Sequence, residues 1–338
     1  MDESFRNWRI VAVRRLSEEQ LRALSAIGHV DYFEDLTDDN RGDFHAAMQQ
    51  ADALIGGKLE LDENLLAEAS RLQVVSTISV GYDHLPMAAL NRRGILVCHT
   101  PDVLTETTAD TAFALVMATQ RRVVELANLV REGRWTAHLG REHFGVDVHG
   151  KTLGIVGAGR IGAAIARRGA LGFNMPILYT AGSPKPALER ELGAQRRDLA
   201  TLLAEADVVC LSVPYQADTH HLIDAEALSH MKASASLINV ARGKVVDEAA
   251  LIAALRRGQI RAAGLDVFEE EPLPAISPLA AMDNVVTTPH MGSATHETRE
   301  AMAQLAVDNL IGALTGDGPL TAVNRDVWQR VPLLREAH

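Results

Sequence analysis

The sequence predicts an α/β protein built from two doubly wound parallel sheets. The chain has 338 residues, more than one hydrophobic core usually organises, and 47% of them are apolar. Strand-like and helix-like segments alternate in both halves of the chain, which is the pattern of parallel sheets. A glycine-rich turn, Gly157-x-Gly159-x-x-Gly162, lies near the middle of the chain rather than at its start. A second folded unit must therefore precede this turn.

The first hundred residues predict strands that alternate with amphipathic helices. Each strand is a short apolar run, and each helix repeats its apolar side chains every three to four residues. The strands are expected at Arg9–Val13, Val30–Phe33, Ala53–Gly56, Leu72–Ile78 and Ile95–His99, and the helices at Ser17–Ile27, Asp43–Gln50, Asp62–Ala69 and Leu85–Arg92.

A long helix is predicted from Thr105 to about Arg131, followed by an irregular stretch that ends near His149. A last helix, from Glu297 to about Leu314, has a pattern that would let the chain return to the first domain. Residues 1–100 and 291–338 are therefore predicted to form one domain and residues 101–290 an inserted one. The strands of the inserted domain are expected near 153–156, 176–180, 207–213, 236–240, 262–267 and 285–289.

The central glycine turn predicts a dinucleotide site. The apolar run Leu153–Val156 leads into it and a helical pattern follows, which is the context that this fingerprint requires. Gly157 permits the tight turn, Gly159 lets the backbone approach a pyrophosphate, and Gly162 lets helix and strand pack closely. The free N–H groups at the helix start supply the anion site. The alternative is an ordinary glycine-rich turn between a strand and a helix.

Composition and charge argue against several classes of protein. No apolar run approaches the ~20 residues of a membrane span, and residues 1–8 lack the layout of a secretory signal. The net charge of −11 argues against nucleic acid or an anionic membrane surface as partner. Cys98 and Cys210 lie in apolar runs and are expected to be buried, as in a reducing cytosol. No metal site is predicted, because His220-His221 lacks the spacing of further ligands.

Three side chains are predicted at one edge of the second sheet. Arg242, Glu271 and His290 each follow a predicted strand, and open parallel sheets bind ligands at the carboxyl ends of their strands. Arg242 has a donor fork that matches a carboxylate and a carbonyl oxygen. His290 can exchange a proton with that oxygen, and a carboxylate at Glu271 would favour the imidazolium. The set suits reduction of a 2-keto acid, although each residue alone could be structural or solvated.

The chain resembles the D-isomer-specific 2-hydroxyacid dehydrogenase family essentially from end to end. The stretches that carry the resemblance are Ser76–Asp83, His99–Thr107, Gly172–Tyr179, Asn239–Glu248, Ala263–Glu269 and Pro289–Arg299. It implies a Rossmann coenzyme domain inserted into a flavodoxin-like substrate domain. It also implies NAD(P)H-dependent reduction of small 2-keto acids, such as glyoxylate, hydroxypyruvate or 2-ketogluconate, to D-2-hydroxy acids. The alternatives are a non-catalytic, NAD-sensing corepressor-like protein and a dehydrogenase of another substrate, D-3-phosphoglycerate or phosphite.

The resemblance also implies roles for individual residues. Arg242 would bind the substrate's carboxylate and carbonyl, Glu271 would be the partner carboxylate, and His290 would be the proton donor. Val80-Gly81 would present backbone N–H groups to the substrate carboxylate. Ser293 is similar to a substrate-side hydroxyl. Larger hydroxylated acids become plausible substrates if Lys58 reaches the cleft.

Coenzyme contacts are implied at the glycine turn and at the ends of the later strands. They are Gly157, Gly159, Arg160, Ile161, Gly162, Ala181, Gly182, Ser183, Pro214, Val240, Ala241, Asp266, His290 and Gly292. Asp266 would hold the nicotinamide carboxamide. The stretch at about 105–150, which contains Trp135, is similar to the arm of family dimers and implies a two-fold homodimer. The alternative for Trp135 is a local core position.

NADPH is predicted to be preferred, with NADH tolerated. An NAD enzyme usually has an acidic residue about 20 positions past the glycines, on the ribose 2′-hydroxyl. Ala181 occupies that position, so no carboxylate there repels a 2′-phosphate. NADPH-dependent relatives commonly have an arginine near Gly182, and this chain does not. Ser183 and Lys185, or Arg160, could replace it.

Overall fold

The computed structural model describes residues 7–14, 16–57 and 61–330. The expectations for residues 1–6 and for Lys58 therefore lie outside the described residues. The chain divides into two compact units, one made of residues 1–104 and 295–338 and the other of residues 105–294. Each unit contains one sheet, and every strand pairing in both sheets is parallel. The predicted fold class, two parallel-sheet α/β domains, is confirmed.

Helices and strands alternate through most of the chain. Before residue 105 the elements are β1 (Trp8–Val13), α1 (Glu18–Ser25), β2 (Gly28–Phe33), α2 (Arg41–Gln50), β3 (Ala53–Gly56), α3 (Glu63–Glu68), β4 (Val74–Thr77), α4 (Met87–Arg92) and β5 (Leu96–Cys98). The second unit contains α5 (Thr105–Gln120), α6 (Val123–Arg131), β6 (Leu153–Val156), α7 (Arg160–Arg167), β7 (Ile177–Thr180), α8 (Pro186–Leu192), β8 (Gln195–Arg196), α9 (Leu199–Glu205), β9 (Val208–Leu211), α10 (Ala225–His230), β10 (Ser236–Asn239), α11 (Glu248–Arg256), β11 (Ala262–Leu265) and β12 (Val285–Thr287). The chain ends with α12 (His296–Thr315) and α13 (Arg325–Arg330). No helix in these described ranges is long and apolar enough to cross a membrane.

The first unit has the strand order β2-β1-β3-β4-β5, a flavodoxin-like doubly wound sheet. The last part of the chain packs on this sheet. Helix α12 lies against β3, β4 and β5, and the buried Ser76 hydroxyl donates to the Ala306 carbonyl at 2.8 Å. The Val323 N–H donates to the Val97 carbonyl at 2.8 Å. These contacts return the chain to its first unit after the second unit is complete.

The second unit has the strand order β12-β11-β10-β9-β6-β7-β8. The order reverses at β6, where the chain first moves outward to β7 and later returns to β9 on the other side. Such a reversal leaves a crevice at the carboxyl ends of the strands, where ligands of this fold bind. The ladders align the last residues of six strands side by side at that edge: Thr180, Val156, Leu211, Asn239, Leu265 and Thr287.

The strands of the second sheet are apolar because both faces are covered. All residues of β6, β9, β10 and β11 are buried, and a separate apolar core lies on each face of the sheet. Such strands read as continuous apolar runs rather than as alternating ones. Both cysteines are free and buried, and burial raises the pKa of Cys98 and of Cys210 to about 12. Both thiols are therefore protonated at neutral pH.

The prediction of one helix from Thr105 to about Arg131 is wrong. Helix α5 ends at Gln120, and Arg122 adopts the left-handed region with φ 55° before α6 begins. The Gln120 carbonyl accepts a hydrogen bond from the Val146 N–H at 2.9 Å instead of one from the next helical turn. A residue 26 positions later in the chain thus breaks the helix, and apolar periodicity cannot reveal such a contact.

Candidate active site

The site is built on the carboxyl edge of the second sheet. Arg242 lies three residues after β10, Asp266 directly follows β11, and His290 lies three residues after β12. Because β10, β11 and β12 are adjacent and in register, their connecting segments leave the sheet side by side. The glycine turn follows β6 at the same edge. The sheet therefore brings residues that are distant in sequence to one edge.

His290 and Glu271 form a direct pair. The Nδ1 of His290 lies 2.7 Å from Oε2 of Glu271, and Oε1 of Glu271 accepts from the Phe268 N–H at 3.1 Å. The imidazole is 42% exposed and the carboxylate 25% exposed. Since a carboxylate only accepts, Nδ1 carries a proton and Nε2 is left to face outward. The pair therefore orients the imidazole and leaves Nε2 accessible to a ligand.

Buried Asp266 holds the segment that carries His290. Its Oδ1 accepts from the Thr288 hydroxyl at 2.7 Å and from the Met291 N–H at 2.8 Å, and its Oδ2 accepts from the Gly292 N–H at 2.8 Å. His290 itself has φ 51°, a left-handed conformation that is unfavourable for a residue with a side chain. The bonds to Asp266, on both sides of His290, stabilise this conformation. A carboxylate has about four acceptor positions, so one is left for a ligand.

Arg242 is positioned by the end of β10. The buried Asn239 side chain accepts from the Ala241 N–H and donates to the Arg242 carbonyl, both at 3.0 Å. A side chain at Gly243 would overlap the backbone of Phe268, so the turn after Arg242 packs directly on the segment after β11. The Arg242 guanidinium is half-buried and donates from Nη1 to the Ala241 carbonyl at 2.8 Å.

The glycine turn has the geometry of a phosphate-binding loop. Gly157 has φ 98°, and a Cβ there would meet Ser212 and Val213 at 2.7–2.8 Å. A Cβ at Gly162 would overlap the Gly157 carbonyl, whereas one at Gly159 would meet nothing within 4 Å. Gly159 is also the N-cap of α7 and leaves the first N–H groups of that helix without a side-chain cap. These observations fit a dinucleotide, because the two packed glycines shape the turn and the open one leaves room for a pyrophosphate.

The other predicted coenzyme contacts lie at the same edge. Ala181 directly follows β7, and its carbonyl accepts from Nη2 of Arg196 at 2.8 Å. Gly182 and Ser183 continue this turn and are exposed. Exposed positions also include Arg160 and Pro214, whereas Ile161 is half-buried and Val240, Ala241 and Gly292 are buried.

Two of the predicted substrate contacts belong to the first unit. Val80 and Gly81 follow β4, where the Val80 carbonyl accepts from Nδ1 of His99 at 2.9 Å. The Ser79 hydroxyl donates to the Gly81 carbonyl at 2.7 Å. Both carbonyls thus accept hydrogen bonds from within the first unit, and the backbone N–H groups remain the groups predicted to bind an anion. Ser293, in the second unit, is half-buried.

Comparison with known proteins decides the family. The family model described as D-isomer specific 2-hydroxyacid dehydrogenase, NAD binding domain, matches residues 113–292. A glyoxylate/hydroxypyruvate reductase B from Yersinia pestis (strain Pestoides F) is 55% identical over 298 residues, which are 88% of this chain and 91% of the relative. The chain belongs to the D-isomer specific 2-hydroxyacid dehydrogenase family. The resemblance identified from the sequence is confirmed, and the chain is an enzyme of this family.

Solved structures of the same family extend the likeness over both units. An NADPH-dependent glyoxylate/hydroxypyruvate reductase from Sinorhizobium meliloti, solved with NADP and malonate, is 34% identical with a TM-score of 0.81, covering 94% of this chain and 97% of that one. A glyoxylate reductase described as from Paecilomyes thermophila is 28% identical with a TM-score of 0.85, covering 95% of this chain and 100% of that one.

Sequence reasoning missed several residues that shape this family member's site. Asn239 and Thr288 fix the segments that carry Arg242 and His290, and Arg196 lies beside Ala181. For Asn239 the sequence did contain a signal, because an asparagine at the end of a buried strand often binds the turn that follows. The two-residue strand β8, which contains Arg196, was not predicted because it has no apolar run. His221, for which no metal role was predicted, pairs with Glu269 at 3.0 Å.

Proposed function

We propose that this chain is an NAD(P)H-dependent reductase of small 2-keto acids that forms D-2-hydroxy acids, with His290 as the proton donor. The observation that carries the proposal is the 2.7 Å pair of His290 with Glu271 at the sheet edge where the glycine turn also lies. Glyoxylate, hydroxypyruvate and 2-ketogluconate are the proposed substrates. The names of relatives such as the Yersinia protein support the first two. They do not favour a non-catalytic or phosphite-oxidising alternative.

The residues of the chain account for the steps around hydride transfer. The glycine turn and the segments after β7, β9, β10, β11 and β12 would hold the nicotinamide coenzyme, which would supply the hydride. Arg242 binds the keto acid through its guanidinium fork. Glu271 keeps a proton on Nδ1 of His290, so the protonated ring donates from Nε2 to the carbonyl oxygen. In the reverse direction the neutral ring accepts that proton at Nε2.

The proposal assigns part of substrate binding, at Val80 and Gly81, to the first unit and coenzyme binding to the second. The match of the NAD-binding family model to residues 113–292 supports the second assignment. For Val80, Gly81 and Ser293 the contact with substrate stays a prediction, as does the contact of Asp266 with the nicotinamide. A cytoplasmic location is part of the same proposal, because two buried free thiols suit a reducing compartment.

NADPH is the proposed preferred coenzyme, and kinetics with both coenzymes test this. We expect kcat/KM with NADPH to exceed that with NADH on glyoxylate and hydroxypyruvate, because Ala181 places no carboxylate at the ribose. Ala181→Asp should reverse the order by lowering kcat/KM for NADPH about 10- to 100-fold, since a carboxylate repels the 2′-phosphate. Leu171→Asp, an exposed substitution of the same charge in this unit, is the control. An equal or higher kcat/KM with NADH for the unsubstituted enzyme would overturn the preference.

A homodimer formed through the stretch 105–150 is also proposed. Six large apolar side chains of this stretch are exposed, which are Val123, Val124, Val130, Trp135, Leu139 and Phe144. Contiguous exposed apolar surface often marks an interface between proteins.

Sedimentation of the unsubstituted chain is expected to give twice the mass of one chain. Trp135→Glu combined with Phe144→Glu should reduce that mass to one chain, because charged side chains are costly in an apolar interface. Ile276→Glu, at a 94% exposed position of the same unit outside this stretch, should leave the dimer intact. A single-chain mass for the unsubstituted protein would contradict the proposal.

A further inference from the structure

We infer that Arg196, on β8, binds the 2′-phosphate of NADP and thereby determines coenzyme specificity. This inference rests on the proposed preference for NADPH and identifies the group that provides it. The chain lacks an arginine near Gly182, directly after β7, and the structure supplies a guanidinium to that place from the neighbouring strand.

The position of Arg196 is fixed by the sheet. Strand β8 pairs in parallel with β7, so that Arg196 lies opposite Tyr179. Its Nη2 donates to the carbonyl of Ala181 at 2.8 Å. In a Rossmann fold the residue at this strand end lies next to the adenosine ribose, where an acidic residue binds the 2′-hydroxyl of NAD or an arginine accommodates the 2′-phosphate of NADP.

The charge of Arg196 is not neutralised by a carboxylate in the described part of the chain. Its hydrogen bond goes to a neutral carbonyl and uses one of five guanidinium N–H groups. The carboxylate of Glu189 instead accepts from the Tyr179 hydroxyl at 2.5 Å. Burial and Glu189 raise the pKa of Tyr179, whereas the positive charge of the nearby Arg196 lowers it. An exposed guanidinium of this kind is suited to an anion.

The candidates identified from the sequence suit the phosphate less well. Ser183 carries no charge, and Arg160 begins α7, on the side of the glycine turn. Lys185 directly precedes α8, and its backbone N–H donates to the Tyr179 hydroxyl at 2.8 Å. An ammonium is a point charge, whereas the planar guanidinium can bind two phosphate oxygens at once.

The adjacent Arg197 offers a matched control. Its guanidinium bonds to Glu205 at 3.1 Å and to Gln195 at 2.6 Å, so it is committed to the protein's own groups. Removing Arg197 deletes the same charge one residue away without deleting the group that lies on Ala181.

Calorimetric titration with 2′,5′-ADP and with 5′-AMP tests the inference without measuring activity. The full-length protein should bind 2′,5′-ADP more tightly than 5′-AMP. Arg196→Gln should weaken 2′,5′-ADP binding by about 10- to 100-fold, the usual effect of losing hydrogen bonds to a charged group. The same variant should keep its affinity for 5′-AMP, which shows that the adenosine site is intact. Arg197→Gln should leave both affinities unchanged, and Arg196→Lys should regain part of the loss.

Two outcomes would overturn the inference, and they are distinguishable. If the unsubstituted protein prefers 2′,5′-ADP and Arg196→Gln retains that preference, another residue binds the phosphate; a loss in Lys185→Gln would then identify it. The proposed NADPH preference would survive that result. If the unsubstituted protein binds both nucleotides equally, the coenzyme preference itself is wrong and the role of Arg196 is wrong with it.

Discussion

His290→Ala should lower kcat for reduction of glyoxylate and hydroxypyruvate by a factor of about 10²–10⁴, the usual contribution of one general acid. The pair with Glu271 leaves Nε2 of His290 as the ring nitrogen that can reach a ligand, and alanine has no proton to give. Steady-state kinetics at saturating coenzyme measure the effect. Coenzyme binding, followed by quenching of protein fluorescence, should be retained, because His290 is only one of the predicted coenzyme contacts.

A second histidine in the same unit provides the comparison. His220 packs against the ring of His221 and lies in a loop before α10, so His220→Ala should leave kcat within about twofold of the unsubstituted value. Exogenous imidazole is expected to restore part of the activity of His290→Ala. It should restore no activity to the other variants. Unchanged keto-acid reduction by His290→Ala would mean that the proton comes from elsewhere.

Arg242→Met should cost about 2–5 kcal/mol of transition-state stabilisation, or roughly 30- to 4000-fold in kcat/KM. The substrate presents a carboxylate and a carbonyl oxygen, and both lose their hydrogen bonds from the guanidinium in this variant. Arg242→Lys retains the charge but loses the planar fork, so it should recover only part of the loss. Most of the effect should fall on KM if Arg242 mainly binds the ground state, and on kcat if it mainly polarises the carbonyl.

Lys244, two residues further along, is an exposed cation in the same turn. Lys244→Met removes the same charge and should leave kcat/KM within about twofold, because no role in binding is proposed for it. Equal losses in Arg242→Met and Lys244→Met would indicate a long-range effect of charge rather than a direct contact.

The strands were predictable where all of their residues are buried, because such strands are continuous apolar runs in the sequence. The apolar runs of β3 and β6 were located to the residue, and the glycine turn after β6 has the predicted roles for Gly157 and Gly162. The parallel arrangement followed from the alternation of strands and helices. The break between α5 and α6 could not be predicted in this way, because the Gln120 carbonyl at the end of α5 accepts a hydrogen bond from Val146, far along the chain.

The pair of Glu271 with His290 was predictable because both residues follow neighbouring strands and have complementary charges. The proposed role of Arg196 in binding the 2′-phosphate was not predictable, because it depends on which strand pairs with β7 near the edge of the sheet. The bonds that Asn239 makes to its own turn were also missed, although an asparagine at the end of a buried strand is a signal for them. Sequence patterns thus predicted the groups that are proposed to react, whereas the side chains that orient them were found in the structure.

The attachment of the His290 segment to Asp266 has a consequence for how natural variants of this enzyme are interpreted. Three hydrogen bonds from the segment around His290 converge on the carboxylate of Asp266. The conformation of the whole segment therefore depends on one side chain that is not itself proposed to react. A variant at Asp266 would therefore impair the enzyme by displacing the imidazole of His290, in addition to removing the proposed contact with the nicotinamide.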